Sequence, residues 1–298
     1  MLNKTIYFLI LIIGLTTIVS CSVDDDPPVV ITDKTLTLNI NELEDVGENF
    51  IYENWLIVSG SPVSAGTFSV NTEGVLSKTL FTIPSTVLDN ATQYVLTIEP
   101  DQDTDPTPSK VHVLAGDFIS NSAEVSIEHS AALGTNFSTA AGNYILATPT
   151  NGMNTNENSG VWWLDNSTAI KEAGLTLPSL PEGWEYEGWA VIDGTPVSTG
   201  KFTSVSGADS TMAFSGPMGG PPFPGEDFLI NAPEGLTFPL DLSGQVVVIS
   251  VEPNPDTSPK PSPIKPLAGL VPLDAADHAL LPMVNQGVNL VTFGSVSR

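Results

Sequence analysis

Two glutamates offer the first candidates for chemistry in this chain. Glu53 and Glu187 each lie in a Tyr-Glu-x-Trp sequence, 134 residues apart. A pair of carboxyl groups on either side of a sugar bond is the usual machinery of a glycosidase. These two glutamates, however, occupy equivalent positions in repeated segments. We therefore expect each to have the same structural role in its own copy rather than a share in one active site.

An acidic loop offers a possible metal site. Asp101, Asp103 and Asp105 place carboxylates at alternate positions, as calcium loops do, but the bidentate glutamate that closes such a loop is missing. The sequence favours a solvated acidic loop. The histidines are also too far apart in sequence for a local metal pair such as HExxH. They are His112, His129 and His278.

Nucleophilic catalysis has no local support. Cys21 is the only cysteine, and no serine lies in a nucleophile-elbow sequence. We predict that the protein is not an enzyme and that it needs neither a metal nor a cofactor.

The elements that carry these residues are duplicated. Residues 52–68 match residues 186–202 at an offset of 134, and Val95–Gly116 matches Val248–Gly269 at an offset of 153. The offset grows by 19 residues between the two blocks. The second copy therefore carries an insertion, and this part of the chain contains the Gly/Pro-rich segment Ser215–Gly225. A loop of this kind is often functional or disordered.

Short β-rich runs bounded by turn residues predict an all-β protein. We predict two tandem immunoglobulin-like β-sandwich domains, at residues 35–147 and 148–298. The strands Phe50–Val58 and Trp184–Ile192 are apolar on both faces, which indicates central, covered strands. Their tryptophans, Trp55 and Trp189, are expected in the core rather than on a ligand platform.

Three aromatic residues outside the repeated blocks are candidate binding residues: Trp162, Trp163 and Phe223. Neighbouring strand residues face opposite sides, so one ring of the Trp-Trp pair could stack on a sugar. Packing between the two domains is the alternative interpretation.

The N-terminus resembles a bacterial lipoprotein signal peptide, residues 1–21. Lys4 precedes an apolar stretch, and Cys21 follows Ile18-Val19-Ser20. Cys21 would carry the acyl chains, palmitate among them. An acidic tether, residues 22–34, follows and resembles the surface-export signals of Bacteroidetes lipoproteins. We expect a lipid-anchored protein at the outer membrane of a Gram-negative bacterium, with either face possible.

The charge balance limits the partners. The chain carries 34 acidic and 9 basic residues, a net charge of −25, and Arg298 is its only arginine. Binding to a phosphate backbone needs clustered lysine and arginine, so nucleic acid is excluded. Membrane contact is expected through the lipid alone.

The repeated signature resembles the extracytoplasmic domain of the anti-sigma-K factor (RskA-like) family. In the first copy the signature comprises Trp55, Gly60-x-Pro-Val-Ser-x-Gly66, Glu99-Pro100 and Leu114-Ala-Gly116. The second copy has the same pattern from Trp189 to Gly269. The resemblance implies a β-sandwich and a sensing or partner-binding role. The family's helical sigma-binding domain is missing, which argues against direct sigma-factor binding.

These observations predict a non-catalytic envelope lipoprotein that binds a protein partner or an envelope signal. The alternative is a surface carbohydrate-binding or adhesion module that uses the three aromatic residues.

Overall fold

The structure, a computed structural model, describes residues 32–152, 154–256, 258–287 and 294–298. The regular structure in these ranges is almost entirely β-strand, which confirms the all-β prediction. The helical elements whose bounds lie within the described ranges are the short helix α1 (Ser85–Leu88) and the 3-10 turns Pro149–Asn151 and Glu157–Ser159. The predicted signal peptide, its Cys21 and most of the predicted tether lie outside the described residues.

The strands are short and follow one another closely. In the first half of the chain they are β1 (Asp33–Ile40), β2 (Phe50–Val58), β3 (Ser61–Phe68), β4 (Leu80–Pro84), β5 (Ala91–Pro100), β6 (His112–Asp117), β7 (Ser122–Val125) and β8 (Ala141–Leu146). They continue with β9 (Gly160–Trp162), β10 (Leu164–Asp165), β11 (Glu172–Ala173), β12 (Leu175–Thr176), β13 (Trp184–Ile192), β14 (Thr195–Phe202) and β15 (Gly225–Asp227). The last are β16 (Val246–Pro253), β17 (Leu267–Leu270), β18 (Leu281–Pro282), β19 (Val284–Asn285) and β20 (Gly294–Ser297).

Four larger antiparallel sheets contain nearly all of these strands. Their orders are β4-β1-β20-β7, β3-β2-β5-β6, β12-β8-β9-β15 with β18 added on β8, and β14-β13-β16-β17-β19. The first two sheets meet where Phe68 of β3 contacts Phe81 of β4, with ring centroids 6.3 Å apart. The other two meet where Tyr144 of β8 lies near Gly269 of β17. We call these pairs of sheets the first and second sandwich.

The repeated segments have the same strand pairing. In β2 and β3, Tyr52 pairs with Phe68, and the register shifts between Asn54 and Trp55. In β13 and β14, Tyr186 pairs with Phe202, and the register shifts between Gly188 and Trp189. The bulge therefore recurs at the 134-residue offset. The pairing of β2 with β5 and of β13 with β16 is likewise equivalent, since Trp55 faces Val95 and Trp189 faces Val248.

Strands β8 and β20 occupy equivalent positions in the two copies, but each lies in the sandwich that is formed mainly by the other copy. The 153-residue offset aligns Ala141–Tyr144 of β8 with Gly294–Ser297 of β20. Strand β20 lies between β1 and β7 in the first sandwich, whereas β8 pairs with β9, β12 and β18 in the second. The division of the chain thus differs from the predicted one at these two strands. Each sandwich is completed by a strand from the other half of the sequence.

One continuous apolar core runs through both sandwiches, and residues 32–298 form one compact unit. At the junction, Ile98 and Val113 of the first sandwich lie beside Trp184 and Ile264 of the second, around a narrow cavity. Asp33 and Lys34, which the sequence placed in the tether, already belong to β1.

Candidate functional site: a groove between the two sandwiches

The residues shared by both copies form buried hydrogen-bond networks. Trp55 Nε1 donates to Thr97 Oγ1 over 2.9 Å, and Thr97 donates to Glu99. In the second copy, Trp189 Nε1 donates to Ser250 Oγ over 2.7 Å, and Ser250 donates to Glu252. Each glutamate also accepts a bond from a loop N–H, which ties the loop after the strand to the core. Trp55 and Trp189 are buried, as predicted.

Glu53 and Glu187 have the same partner in each copy. Ser64 donates to Glu53, and Ser198 donates to Glu187. The pocket that Glu187 lines does not include Glu53.

The three predicted binding aromatics are buried. Trp163 has no exposed surface and lies edge-on to Tyr144, and Trp162 Nε1 donates to Asp227 Oδ1 over 2.7 Å. Phe223 packs in the same small apolar cluster as Trp162. These burials contradict the expectation of an exposed sugar-stacking ring at Trp162, Trp163 or Phe223.

The Gly/Pro-rich segment 215–225 is the reason that Trp162 is covered. Gly220 lies directly over the indole, where a Cβ atom would come within 2.4 Å of Trp162 Cη2. Ser215 anchors the start of the segment by donating to the buried Glu226. Burial raises the pKa of Glu226 to about 7. The segment is part of the second sandwich rather than a free binding loop.

The acidic loop uses its carboxylates locally. Asp103 accepts the N–H of Asp105 over 2.9 Å, and Asp105 accepts the hydroxyl of Thr107 over 2.7 Å. The bonds that Asp105 accepts from the hydroxyl and the N–H of Thr107 lower the pKa of Asp105. Its side chains are exposed, as expected for a solvated loop.

The histidines have separate neighbours. His112 contacts the Ala131 carbonyl. His129 Nε2 lies 3.5 Å from Asp117 Oδ1, and His278 Nε2 lies 3.8 Å from Glu157 Oε2. Among the described residues, no three His, Cys, Asp or Glu side chains are grouped as metal ligands.

A groove of about 640 Å³ opens between the two sandwiches, and we call it the interdomain groove. One wall is the loop before β2, with Glu42, Glu44 and Asp45. The opposite wall is the loop between β16 and β17, with prolines alternating with polar residues. The residues of that second wall are Ser258, Pro259, Lys260, Pro261, Pro263 and Lys265.

Burial shifts the pKa values of ionisable groups at this groove and beneath it. Burial, and then the charge of Asp256, raises the pKa of Glu44 to about 7. Burial, and then the charge of Glu44, raises the pKa of Glu252 to about 8. Burial also lowers the pKa of Lys265, although the nearby carboxylates oppose that shift. Glu44 from one half and Glu252 and Lys265 from the other therefore form one electrostatically coupled group.

The charged residues of the groove differ between the two copies. Glu44 corresponds to Pro178 and Lys265 to His112 at the two offsets. Tyr52 and Tyr186 verify the first equivalence, because each hydroxyl donates to the carbonyl of the corresponding residue, Glu44 or Pro178. Sequence reasoning that searched for shared residues missed the groove. A search for charged residues that are present in only one copy would have identified Glu44 and Lys265 as candidates.

Within the described residues, no helix is long and apolar enough to cross a membrane. Comparison with protein-family models, with curated proteins and with solved structures finds no match for this chain.

Proposed function

We propose that this chain is a non-catalytic envelope lipoprotein, made of a duplicated β-sandwich module, that binds a protein partner in the interdomain groove. The resemblance to the outer domain of anti-sigma-K factors motivates a sensing or partner-binding role. Cys21 would hold the protein at the outer membrane through its lipid. An exported protein does not meet RNA polymerase, so the proposed partner is an envelope protein rather than a sigma factor.

The contrast between shared and unshared residues carries this proposal. Residues common to both copies, such as Trp55 with Thr97 and Trp189 with Ser250, are buried and hydrogen-bonded within the fold. By contrast, the acidic residues and lysines that line the groove have neither a carboxylate nor a lysine at the equivalent position of the other copy. A duplicated scaffold in which one cleft carries charges that the other copy lacks is what we expect of a binding protein with one specialised surface.

The groove suits an extended peptide segment. Pro259 and Pro261 supply rigid apolar surface, and the lining also carries both signs of charge, with Glu42 and Glu44 on one wall and Lys260 and Lys265 on the other. A partner segment with both apolar and charged side chains would find complementary surfaces on the two walls.

Photocrosslinking tests this proposal. A photoreactive amino acid replaces the exposed Lys260 in the full-length protein in its native envelope, and captured proteins are identified by mass spectrometry. We expect one partner to be captured from Lys260 and to be lost when Glu44→Lys reverses the charge of the opposite wall.

The matched control is the same photoreactive residue at Glu124, an exposed position on β7. Capture of the same proteins from Lys260 and Glu124, or capture that is unaffected by Glu44→Lys, would reject the groove as the partner site.

A further inference from the structure

A second pocket, of about 350 Å³, lies wholly within the second half and shares Ser258 and Pro259 with the interdomain groove. We call it the Lys201 pocket. Its polar side chains are Glu187, Lys201 and Asp256 together with two serines. The rest of its lining is apolar and includes Trp189, Phe214, Pro196 and Pro233.

One oxygen in this pocket has no hydrogen-bond donor. Glu187 is only 3% exposed, and its Oε1 accepts from Ser198. Its Oε2 has no hydrogen-bond partner in the described part of the chain, and Lys201 Nζ lies 3.9 Å from it. A buried carboxylate oxygen without a donor loses the solvation that it had in water, so a ligand that supplies an N–H would stabilise it.

Carboxyl groups also outnumber ammonium groups around this pocket. Lys201 Nζ lies 3.0 Å from Asp256 Oδ2 and 3.5 Å from Glu185 Oε1. With Glu187, three carboxyl groups surround one ammonium group. Lys201 donates to Asp256 and lies closer to Glu185 than to Glu187, so no cation of the described residues lies within hydrogen-bond distance of Glu187 Oε2.

The first copy lacks these features, although it retains the Ser–Glu bond. Glu53 accepts from Ser64 as Glu187 does from Ser198, but it is partly exposed. Thr67 stands at the position of Lys201. The apolar residues Phe214 and Pro233 come from the stretch in which the second copy is longer. The pocket is therefore specific to the second copy.

We propose that the Lys201 pocket binds a protonated alkyl amine, most simply the lysine side chain of a partner. The ammonium group donates to Glu187 Oε2, and the methylene stem lies against the apolar lining that includes Trp189 and Phe214. An alkyl chain ending in one positive charge matches a pocket with apolar walls and an acidic floor. The inference deepens the proposed function, since the lysine would belong to the bound partner.

Calorimetric titration of the full-length protein with small probes tests the inference. The probes are Nα-acetyl-lysine methylamide and its norleucine counterpart, which has the same stem without the charge. A third probe, 1,4-diaminobutane, distinguishes a site for a partner's lysine side chain from a site for a free small-molecule amine. We expect saturable binding of the lysine probe and at least about tenfold weaker binding of the norleucine probe. If diaminobutane binds more tightly than the lysine probe, the source is a free amine, and the assignment to a partner's lysine is overturned.

Two matched variants complete the test. Glu187→Gln, which keeps the size of the side chain, should weaken the lysine probe by about tenfold or more. Glu53→Gln, the same change in the first copy, should leave binding unchanged. Thermal unfolding of both variants checks that they fold.

Equal affinity for the lysine and norleucine probes, an equal loss in the two variants, or no saturable binding of the lysine probe would each overturn the amine site. Crosslinking from Lys260 reports on the interdomain groove separately. Loss of the amine site alone would therefore leave the proposed function standing, and loss of crosslinking alone would leave the amine site standing.

Discussion

At the scale of single residues, this chain uses buried carboxyl groups as fixed acceptors for loop N–H groups and hydroxyls. Glu99 accepts the Ser109 N–H with both oxygens, over 2.9 and 3.1 Å. Glu252 accepts the Ser262 N–H with Oε1 only, and its Oε2 has no hydrogen-bond partner within the described ranges. The carboxyl group of Glu252 therefore accepts fewer hydrogen bonds than that of Glu99. A second acid, Glu44, also lies near Glu252.

Glu252 is therefore expected to make stability depend on pH. Burial raises its pKa from 4.5 to about 8, so between these values the folded state holds a proton that the unfolded state releases. Stability that is present below pH 4.5 is lost as the pH rises toward 8. The glutamine in Glu252→Gln cannot ionise. Between pH 4.5 and 8, the free energy of unfolding of this variant should therefore fall less steeply with pH than that of the wild type, by up to about 1.4 kcal/mol per pH unit.

Urea unfolding of wild type and variant at pH 5, 6.5 and 8 measures this change. Glu99→Gln is the control, and we expect a smaller change there because both oxygens of Glu99 are hydrogen-bonded. If Glu252→Gln leaves the pH dependence as steep as in wild type, the carboxyl is not protonated in the folded protein.

At the scale of elements, glycines permit the repeated bulge. Gly66 and Gly200 have φ of 103° and 118°, which side chains rarely adopt. At Gly200 a Cβ atom would also come within 2.5 Å of the Asp209 carboxyl carbon. The bulged hairpin therefore needs glycine in each copy, which explains why both glycines are part of the repeated sequence.

The last strand, β20, pairs with the first strand, β1. Val296 of β20 is fully buried, and β20 separates β1 from β7. The Arg298 side chain donates to the carbonyls of Leu88 and Ala91 over 2.7 Å each, and its guanidinium lies 4.5 Å from the Phe118 ring centre. The C-terminus is thereby attached to the first sandwich, although its sequence belongs to the second copy.

Deletion of residues 294–298 should destabilise the protein. The loss of the buried Val296 alone is expected to lower the free energy of unfolding by about 2 kcal/mol, and β1 and β7 also lose their ladder. The midpoint of urea unfolding measures the change. Arg298→Ala, which keeps the strand, should cost less, about 1–2 kcal/mol. A truncated chain that unfolds at the wild-type urea concentration would contradict the role of β20.

At the scale of the whole molecule, the net charge disfavours contact with anionic membrane surfaces, whereas the proposed lipid anchor favours attachment to the membrane. A net charge of −25 and a sequence pI near 4.1 repel anionic surfaces at neutral pH. The lipid proposed on Cys21 would instead hold the protein at the membrane, since each buried methylene contributes about 0.8 kcal/mol.

Cys21→Ser should therefore release the protein from the membrane. It removes the only thiol in the chain, and no other cysteine can replace it. Fractionation of cells that express each form, with mass measurement of the N-terminus, checks the result. Glu53→Gln serves as the membrane-retained control. A serine variant that stays in the membrane fraction would exclude lipidation at Cys21 as the anchor.

The sequence determined the strands and the buried face of the repeat. Strands β2 and β13 begin and end at the predicted residues, because runs of apolar and aromatic residues bounded by turns are local signals. The core position of Trp55 and Trp189 followed from strands that are apolar on both faces. By contrast, residues 211–214 form no strand, and the Phe214 carbonyl instead accepts the N–H groups of Leu229 and Ile230.

Only the tertiary structure decided where the strands pair and which surfaces remain open. Alternation shows that a side chain faces inward, but it does not show which distant segment covers it. Segment 215–225 over Trp162, strand β20 in the first sandwich and the groove between Glu44 and Lys265 all depend on contacts between residues far apart in sequence. Chain connectivity and packing create those contacts, and no local period of the sequence records them.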